Sequence, residues 1–99
     1  MLHTINKSPY EKNSLEACLR VAAAGSAVLL IEDAVYAAVN NGAWAARLGE
    51  AMGDVKVYVL QPDAEARGIQ DRVMDGVTPV DYNGFVDLAA EHDKVQSWL

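Results

Sequence analysis

Apolar runs alternate with polar segments along the chain, at the lengths typical of strands and helices. The run Ala27–Ile31 is continuously apolar and predicts a strand buried on both faces of a sheet. Met1–Ile5 and Val55–Leu60 predict two further strands, whereas Val77–Val80 and Ile69–Val73 are weaker strand candidates. Since helical segments separate these runs, we predict an α/β fold: a three-layer α/β/α arrangement with a mostly parallel sheet of four to five strands.

The main helix is predicted from Asn13 to Ala24, with Gly25 as its C-cap. Asn13 and Glu16 have the spacing of a capping box at its start. The apolar positions of this helix follow the i, i+3, i+4, i+7 spacing of a core-facing side: Leu15, Cys18, Leu19 and Ala22. Other helical segments are predicted at Ala34–Val39, Ala43–Met52 and Asp63–Arg67, and an amphipathic helix from Phe85 to Trp98 closes the chain.

Composition and charge limit the classes of partner. The chain has 99 residues and 52% hydrophobic residues, so residues 1–99 are expected to form one domain with its own core. The formal net charge is -6, with 14 acidic and 8 basic residues. Nucleic acids and anionic lipid surfaces are normally bound through clustered lysine and arginine. We therefore expect no direct nucleic-acid partner and no membrane partner.

Targeting and cofactor signals are also missing from the sequence. The longest nearly apolar stretch, Val21–Ile31, is shorter than the ~20 residues that a membrane-crossing helix needs. Met1–Ile5 lacks the basic region of a signal peptide, so a cytoplasmic location is expected. The patterns GxGxxG and GxxxxGK[ST] do not occur, and we expect no cofactor.

Cys18 is the first candidate for chemistry, because a thiolate is a good nucleophile and a natural carrier of transferable sulfur. As the only cysteine, it excludes an internal disulfide. Its neighbours one helical turn away, at positions 14, 15, 21 and 22, include no basic residue that would lower its pKa. His3 and Lys7 are the nearest basic candidates elsewhere. The local pattern favours a buried core thiol, and a reactive thiol is the alternative.

The other titratable residues carry weaker signals. His3 lies in a predicted strand and is expected to be a structural histidine, whereas His92 is expected at the surface. No cluster of ligands has the spacing of a zinc site, and no metal site is expected. Glu32 and Asp33 follow a buried strand at the carboxyl edge of the sheet, where functional groups gather in such folds. Acid–base work by this pair is less expected than a structural role in which Asp33 caps the next helix.

Taken in order, ten segments of the chain are similar to one protein family. These segments are Leu2–Thr4, Asn6–Pro9, Ser14–Leu19, Val28–Ala38, Val57–Leu60, Pro62–Asp63, Ala66–Gly68, Val80–Tyr82, Gly84–Leu88 and Val95–Leu99. Together they resemble the DsrH/TusB family of sulfur-relay proteins from one end of the chain to the other. The resemblance implies a DsrE-like α/β fold and a heterohexamer with DsrE- and DsrF-like subunits. It also implies transfer of persulfide sulfur to a DsrC/TusE-like carrier protein.

The two branches of this family differ at Cys18. DsrH-type members carry a cysteine in the first helix, whereas TusB-type members commonly lack it. The resemblance therefore favours a relay subunit in sulfur oxidation, sulfurtransferase-like but without classical turnover, with Cys18 as candidate persulfide carrier. The alternatives are a TusB-like subunit of the complex for 2-thiolation of the tRNA wobble uridine, or a non-catalytic scaffold subunit of either complex.

Overall fold

The strands form one parallel sheet in the computed structural model, which describes residues 1–99. They are β1 (Leu2–Ile5), β2 (Ala27–Leu30), β3 (Lys56–Leu60), β4 (Thr78–Val80) and β5 (Val95–Trp98). Their order is β4-β3-β2-β1-β5, and all four pairings are parallel. The central strands β1 and β2 are buried at every position, because neighbouring strands and helices cover both their faces. The predicted α/β class with a parallel sheet is confirmed.

The helices cover the two faces of this sheet unequally. The α-helices are α1 (Ser14–Val21), α2 (Ala45–Ala51), α3 (Gln61–Ala66) and α4 (Tyr82–Glu91), and two 3-10 helices span Glu32–Ala38 and Gln70–Arg72. Alternate strand residues point to opposite faces, so the apolar clusters show which helix covers which face. None of the helices is long and apolar enough to cross a lipid bilayer.

On the main face, α1, α2, α3 and the first 3-10 helix pack over the sheet around a cluster of 16 buried residues. On the opposite face, here called the α4 face, α4 is the single helix, and its cluster has only four buried members. These four are Leu2, Ala27, Leu29 and Leu88. The core therefore lies almost entirely on the main face, and α4 covers its own face sparingly.

Two predicted elements are wrong. The helix predicted from Phe85 to Trp98 ends at Glu91, and Val95–Trp98 instead forms β5, which pairs with β1. Ile69–Val73 is not a strand: Gln70–Arg72 forms a 3-10 helix, and Val73 makes only an isolated antiparallel bridge with Val39.

The main helix is also shorter than predicted: it ends at Val21, three residues before Ala24. Its N-cap Asn13 makes no side-chain capping bond. Glu16, the other member of the expected capping box, bonds to arginine side chains instead. The start of α1 therefore depends on packing rather than on a cap.

Candidate functional site

Cys18 lies on the side of α1 that faces the sheet, inside the main core. Its exposed fraction is 0%. Burial raises the pKa of the Cys18 thiol to about 12, because a thiolate loses its hydration there, and no charged group acts in the opposite direction. Almost no thiolate exists on Cys18 at neutral pH in this conformation.

Three contacts hold α1, and with it Cys18, against the sheet. Leu15, one turn before Cys18, is equally buried and fixes the same side of the helix against the sheet. The Glu16 carboxylate accepts two hydrogen bonds from Arg47 of α2, from Nε at 2.9 Å and from the terminal guanidinium nitrogen at 3.0 Å. These bonds lower the pKa of Glu16. At the start of the helix, Ser14 Oγ donates to the Leu99 carbonyl oxygen at 3.1 Å. The helix is therefore anchored to α2 and to the chain end.

A carrier role for Cys18 requires access that this conformation does not give. Its sulfur would have to meet the sulfur of a donor and then the thiol of an acceptor protein. Since Ser14 and Glu16 anchor the first turn of α1 and Cys18 itself packs in the core, the helix would have to move away from the sheet in each transfer.

The carboxyl edge of the sheet holds the other predicted site residues. Beyond β2 and β3, the Asp63 carboxylate accepts a hydrogen bond from the Glu32 backbone N–H at 2.6 Å. Glu32 has a φ of 49°, which is uncommon for a residue with a side chain, so this bond holds a strained backbone in place. Arg67 Nε donates to Asp33 Oδ1 at 2.8 Å, and its guanidinium also donates to the Asp63 carbonyl oxygen at 3.2 Å.

This arrangement braces two loops and does not present a free acid–base pair. Asp63 and Asp33 are both used as hydrogen-bond acceptors within the edge. The expectation that Asp33 caps the following helix is wrong, because the N-cap residue is Ile31 and the Asp33 carboxylate instead accepts a hydrogen bond from Arg67. Asp63, from the neighbouring strand end, takes that role for the Glu32 N–H. Sequence reasoning missed this bond, although the rule that parallel strands end at one edge brings residues 32 and 63 together.

The two histidines have different environments, and neither belongs to a group of three potential metal ligands. His3 is buried in β1, and its Nδ1 accepts a hydrogen bond from the Trp98 indole N–H at 3.1 Å. The prediction of a satisfied structural histidine is confirmed. His92 is the partly exposed residue that follows α4.

Comparison with known proteins gives the family. The model of the DsrH family, described as DsrH like protein, matches residues 7–95. The chain is 41% identical over 98 residues to protein TusB of Pectobacterium parmentieri, covering 99% of this chain and 100% of the relative. It is 37% identical to protein TusB of Escherichia coli strain UTI89 and 36% identical to that of Shigella flexneri, with the same coverage. The chain therefore belongs to the DsrH/TusB family of sulfur-relay proteins.

Solved structures show the same fold. The crystal structure of the YchN protein from E. coli matches with a TM-score of 0.82 and 23% identity, over 98% of this chain and 97% of that one. A protein from Methanobacterium thermoautotrophicum, MTH1491, matches with a TM-score of 0.69 and 14% identity over 97% and 95% of the two chains. At these identities the likeness concerns the fold alone.

Proposed function

We propose that this chain is a TusB-like subunit of a sulfur-relay complex that supplies sulfur for 2-thiolation of the tRNA wobble uridine. The observation that carries the proposal is the full-length similarity to TusB proteins, at 36–41% identity. It favours the tRNA branch over the sulfur-oxidation branch, which rested on the single position Cys18. As the family resemblance implies, its partners are DsrE- and DsrF-like subunits and a DsrC/TusE-like carrier.

Within that complex we assign the chain a scaffold role. Sulfur relay proceeds when a thiolate attacks the outer sulfur of a persulfide, the S–S bond breaks, and the donor leaves as a thiolate. Burial and a raised pKa make the Cys18 thiol a poor partner in this exchange. The main sulfur-accepting cysteine would then belong to a partner subunit, and this chain would hold the assembly together. The acidic net charge agrees with contacts to proteins rather than to tRNA.

A second candidate is a DsrH-like carrier in sulfur oxidation. The observation in its favour is the presence of a cysteine in α1, where DsrH-type members are expected to have one. This candidate requires α1 to open so that Cys18 becomes accessible.

Deletion of the gene for this chain in its own organism distinguishes the two candidates. We expect the 2-thiolated wobble uridine to be lost, as measured by mass spectrometry of tRNA nucleosides, and sulfur-compound oxidation to continue. Both the wild-type chain and Cys18→Ala should restore the modified nucleoside. Normal tRNA thiolation together with lost sulfur oxidation would overturn the proposal in favour of the second candidate.

A further inference from the structure

The two edges of the sheet differ in how they are protected against further pairing. β4, at one edge, has three residues, and its central residue Pro79 has no N–H to offer to another strand. β5, at the other edge, has four residues, none of which is a proline or a charged residue. Prolines and charges are common means by which edge strands avoid pairing with another chain. β5 therefore lacks the protection that β4 has.

The outer side of β5 carries backbone groups that are open to a further strand. The Leu2 N–H donates to the Lys94 carbonyl oxygen at 2.9 Å, so Lys94 turns its carbonyl towards β1. Successive residues of a strand turn their N–H and C=O groups to opposite sides, so Val95 and Ser97 turn theirs away from β1. The Ser97 carbonyl oxygen receives only a long contact, 3.4 Å from the Gln96 side-chain amide.

The helical layers leave this edge open. The cluster beneath α4 contains residues of β1, β2, β3 and β4 but none of β5. Val95 is accordingly 49% exposed, and Gln96 and Ser97 are exposed beside it. The register with β1 places Val95 and Ser97 on the α4 face and Gln96 on the main face, so the strand is accessible from both faces. A further strand can therefore approach β5 without displacing a helix.

We propose that β5 pairs with β5 of a second copy of this chain, antiparallel and across a two-fold axis at Gln96. In this register Val95 of one copy faces Ser97 of the other, and their open N–H and C=O groups bond to each other. Gln96 faces its own copy, and two side-chain amides can pair as donor and acceptor. Lys94, the nearest charged residue, faces Trp98 rather than another cation. The outer side of β5 is thus complementary to itself, which favours a second copy as its occupant.

Charge and size set the strength of this contact. The chain has a net charge of -6, but β5 itself is uncharged, so the pairing brings no like charges directly together. A pairing of such short strands buries less than the ~1,200 Å² at the low end of standard interfaces. The dimer should therefore be reversible and dissociate on dilution. The inference is independent of the proposed function, because it concerns only copies of this chain.

Disulfide cross-linking tests the register directly. Residues that face each other in a non-hydrogen-bonded antiparallel pair have Cα atoms about 4.5 Å apart, within the range of a disulfide. In the full chain carrying Cys18→Ala, Gln96→Cys should therefore form a disulfide with its own copy when oxidised glutathione is added. Thr78→Cys, at an exposed position of the other edge strand, is the matched control. Non-reducing electrophoresis and intact mass give the yield of dimer.

Gln96→Cys should give at least about tenfold more disulfide dimer than Thr78→Cys. Addition of Ser97→Pro removes an outward N–H but none that bonds to β1, so it should reduce the yield to that of the control. Circular dichroism shows whether each variant is folded. Equal yields at positions 96 and 78, or an unchanged yield with Ser97→Pro, would overturn the proposal.

Sedimentation velocity gives a second test that needs no cysteine. The wild-type chain should shift from monomer to dimer as its concentration rises. Gln96→Lys should remain monomeric, because it places two ammonium groups opposite each other at the axis, whereas Thr78→Lys should behave as wild type. A dimer that Gln96→Lys leaves intact, or a wild-type chain that stays monomeric up to its highest soluble concentration, would contradict pairing through β5.

Discussion

The indole N–H of Trp98 donates a hydrogen bond to Nδ1 of His3, which joins the edge strand β5 to the first strand β1. The two residues lie 95 positions apart in the sequence. The bond requires an unprotonated Nδ1, so it exists only while the imidazole is neutral. The last strand is therefore attached to the sheet by a contact that responds to pH.

This contact predicts a loss of stability in mild acid. Burial, with a smaller effect of the N-terminal charge, lowers the pKa of His3 below its ordinary value of 6.5. As pH falls below 6.5, the unfolded chain binds a proton at His3 that the folded chain does not, so the free energy of unfolding decreases. Thermal unfolding should show a larger drop in Tm between about pH 7.5 and pH 5.5 for the wild-type chain than for His3→Asn, which cannot titrate. Equal drops in both chains would contradict a role for His3.

Cys18 should react slowly with thiol reagents. Since it is buried and its pKa is raised to about 12, alkylation at pH 8 should be very slow in the native chain. In denaturant the same thiol should react at the rate of an unperturbed cysteine. The time course of mass increase with iodoacetamide measures both rates. Rapid alkylation of the folded chain would show that α1 opens readily and would favour the carrier role.

The two obvious Cys18 variants should differ in stability. Cys18→Ser places a polar hydroxyl in an apolar site, which costs about 1–3 kcal/mol of unfolding free energy. Cys18→Ala removes the sulfur but introduces no polar group, so it should be less harmful and is the better probe of chemistry. Urea unfolding measures both, and a serine variant as stable as wild type would indicate an accessible, hydrated position.

The bond between Glu16 and Arg47 should stabilise the contact of α1 with α2. Arg47 is 28% exposed and bonds both carboxylate oxygens, whereas Arg20 is 75% exposed and makes one contact at 3.3 Å. Arg47→Gln should therefore cost up to about 1 kcal/mol at neutral pH, and Arg20→Gln close to nothing. The folded chain lowers the pKa of Glu16 below its ordinary value of 4.5. This stabilisation is therefore complete above pH 4.5 and is lost as pH falls through the pKa of the folded chain. Urea unfolding at about pH 7 and pH 3 gives the comparison; equal effects of the two variants would contradict it.

Asp81 should stabilise the start of α4. Its Oδ1 accepts a hydrogen bond from the Gly84 N–H at 2.7 Å, which is an N-cap interaction. Asp81→Ala should lower the free energy of unfolding by about 1 kcal/mol, whereas Asp81→Asn keeps the acceptor and should cost less. Thermal unfolding of the two variants measures the difference. An alanine variant as stable as the asparagine variant would show that α4 begins without this cap.

Much of the fold could be predicted because the buried strands are locally distinctive. Ala27–Leu30 is apolar at every position, a pattern that few other structures produce.

The error at the chain end has a physical reason. The spacing of Phe85, Leu88 and His92 continues a helical period past the true end of α4, while β5 exists because its residues pair with β1, more than 90 positions away. Local periodicity carries no information about that pairing.

The candidate site was less predictable for the same reason. The sequence indicated that Cys18 faces the core, because its helical spacing is local. It gave no sign that Arg47 would bond Glu16 or that Asp63 would hold the Glu32 N–H, since each bond joins residues 31 positions apart.

The most direct measurement is the intact mass of this chain after sulfur transfer through the assembled complex. A persulfide donor is added to the complex with the carrier protein present, and each subunit is weighed. We expect sulfur to appear on a partner subunit and on the carrier and not on this chain. The complex with Cys18→Ala should transfer sulfur at the wild-type rate. An added sulfur on this chain that is absent from Cys18→Ala, together with slower transfer by that variant, would contradict the scaffold role.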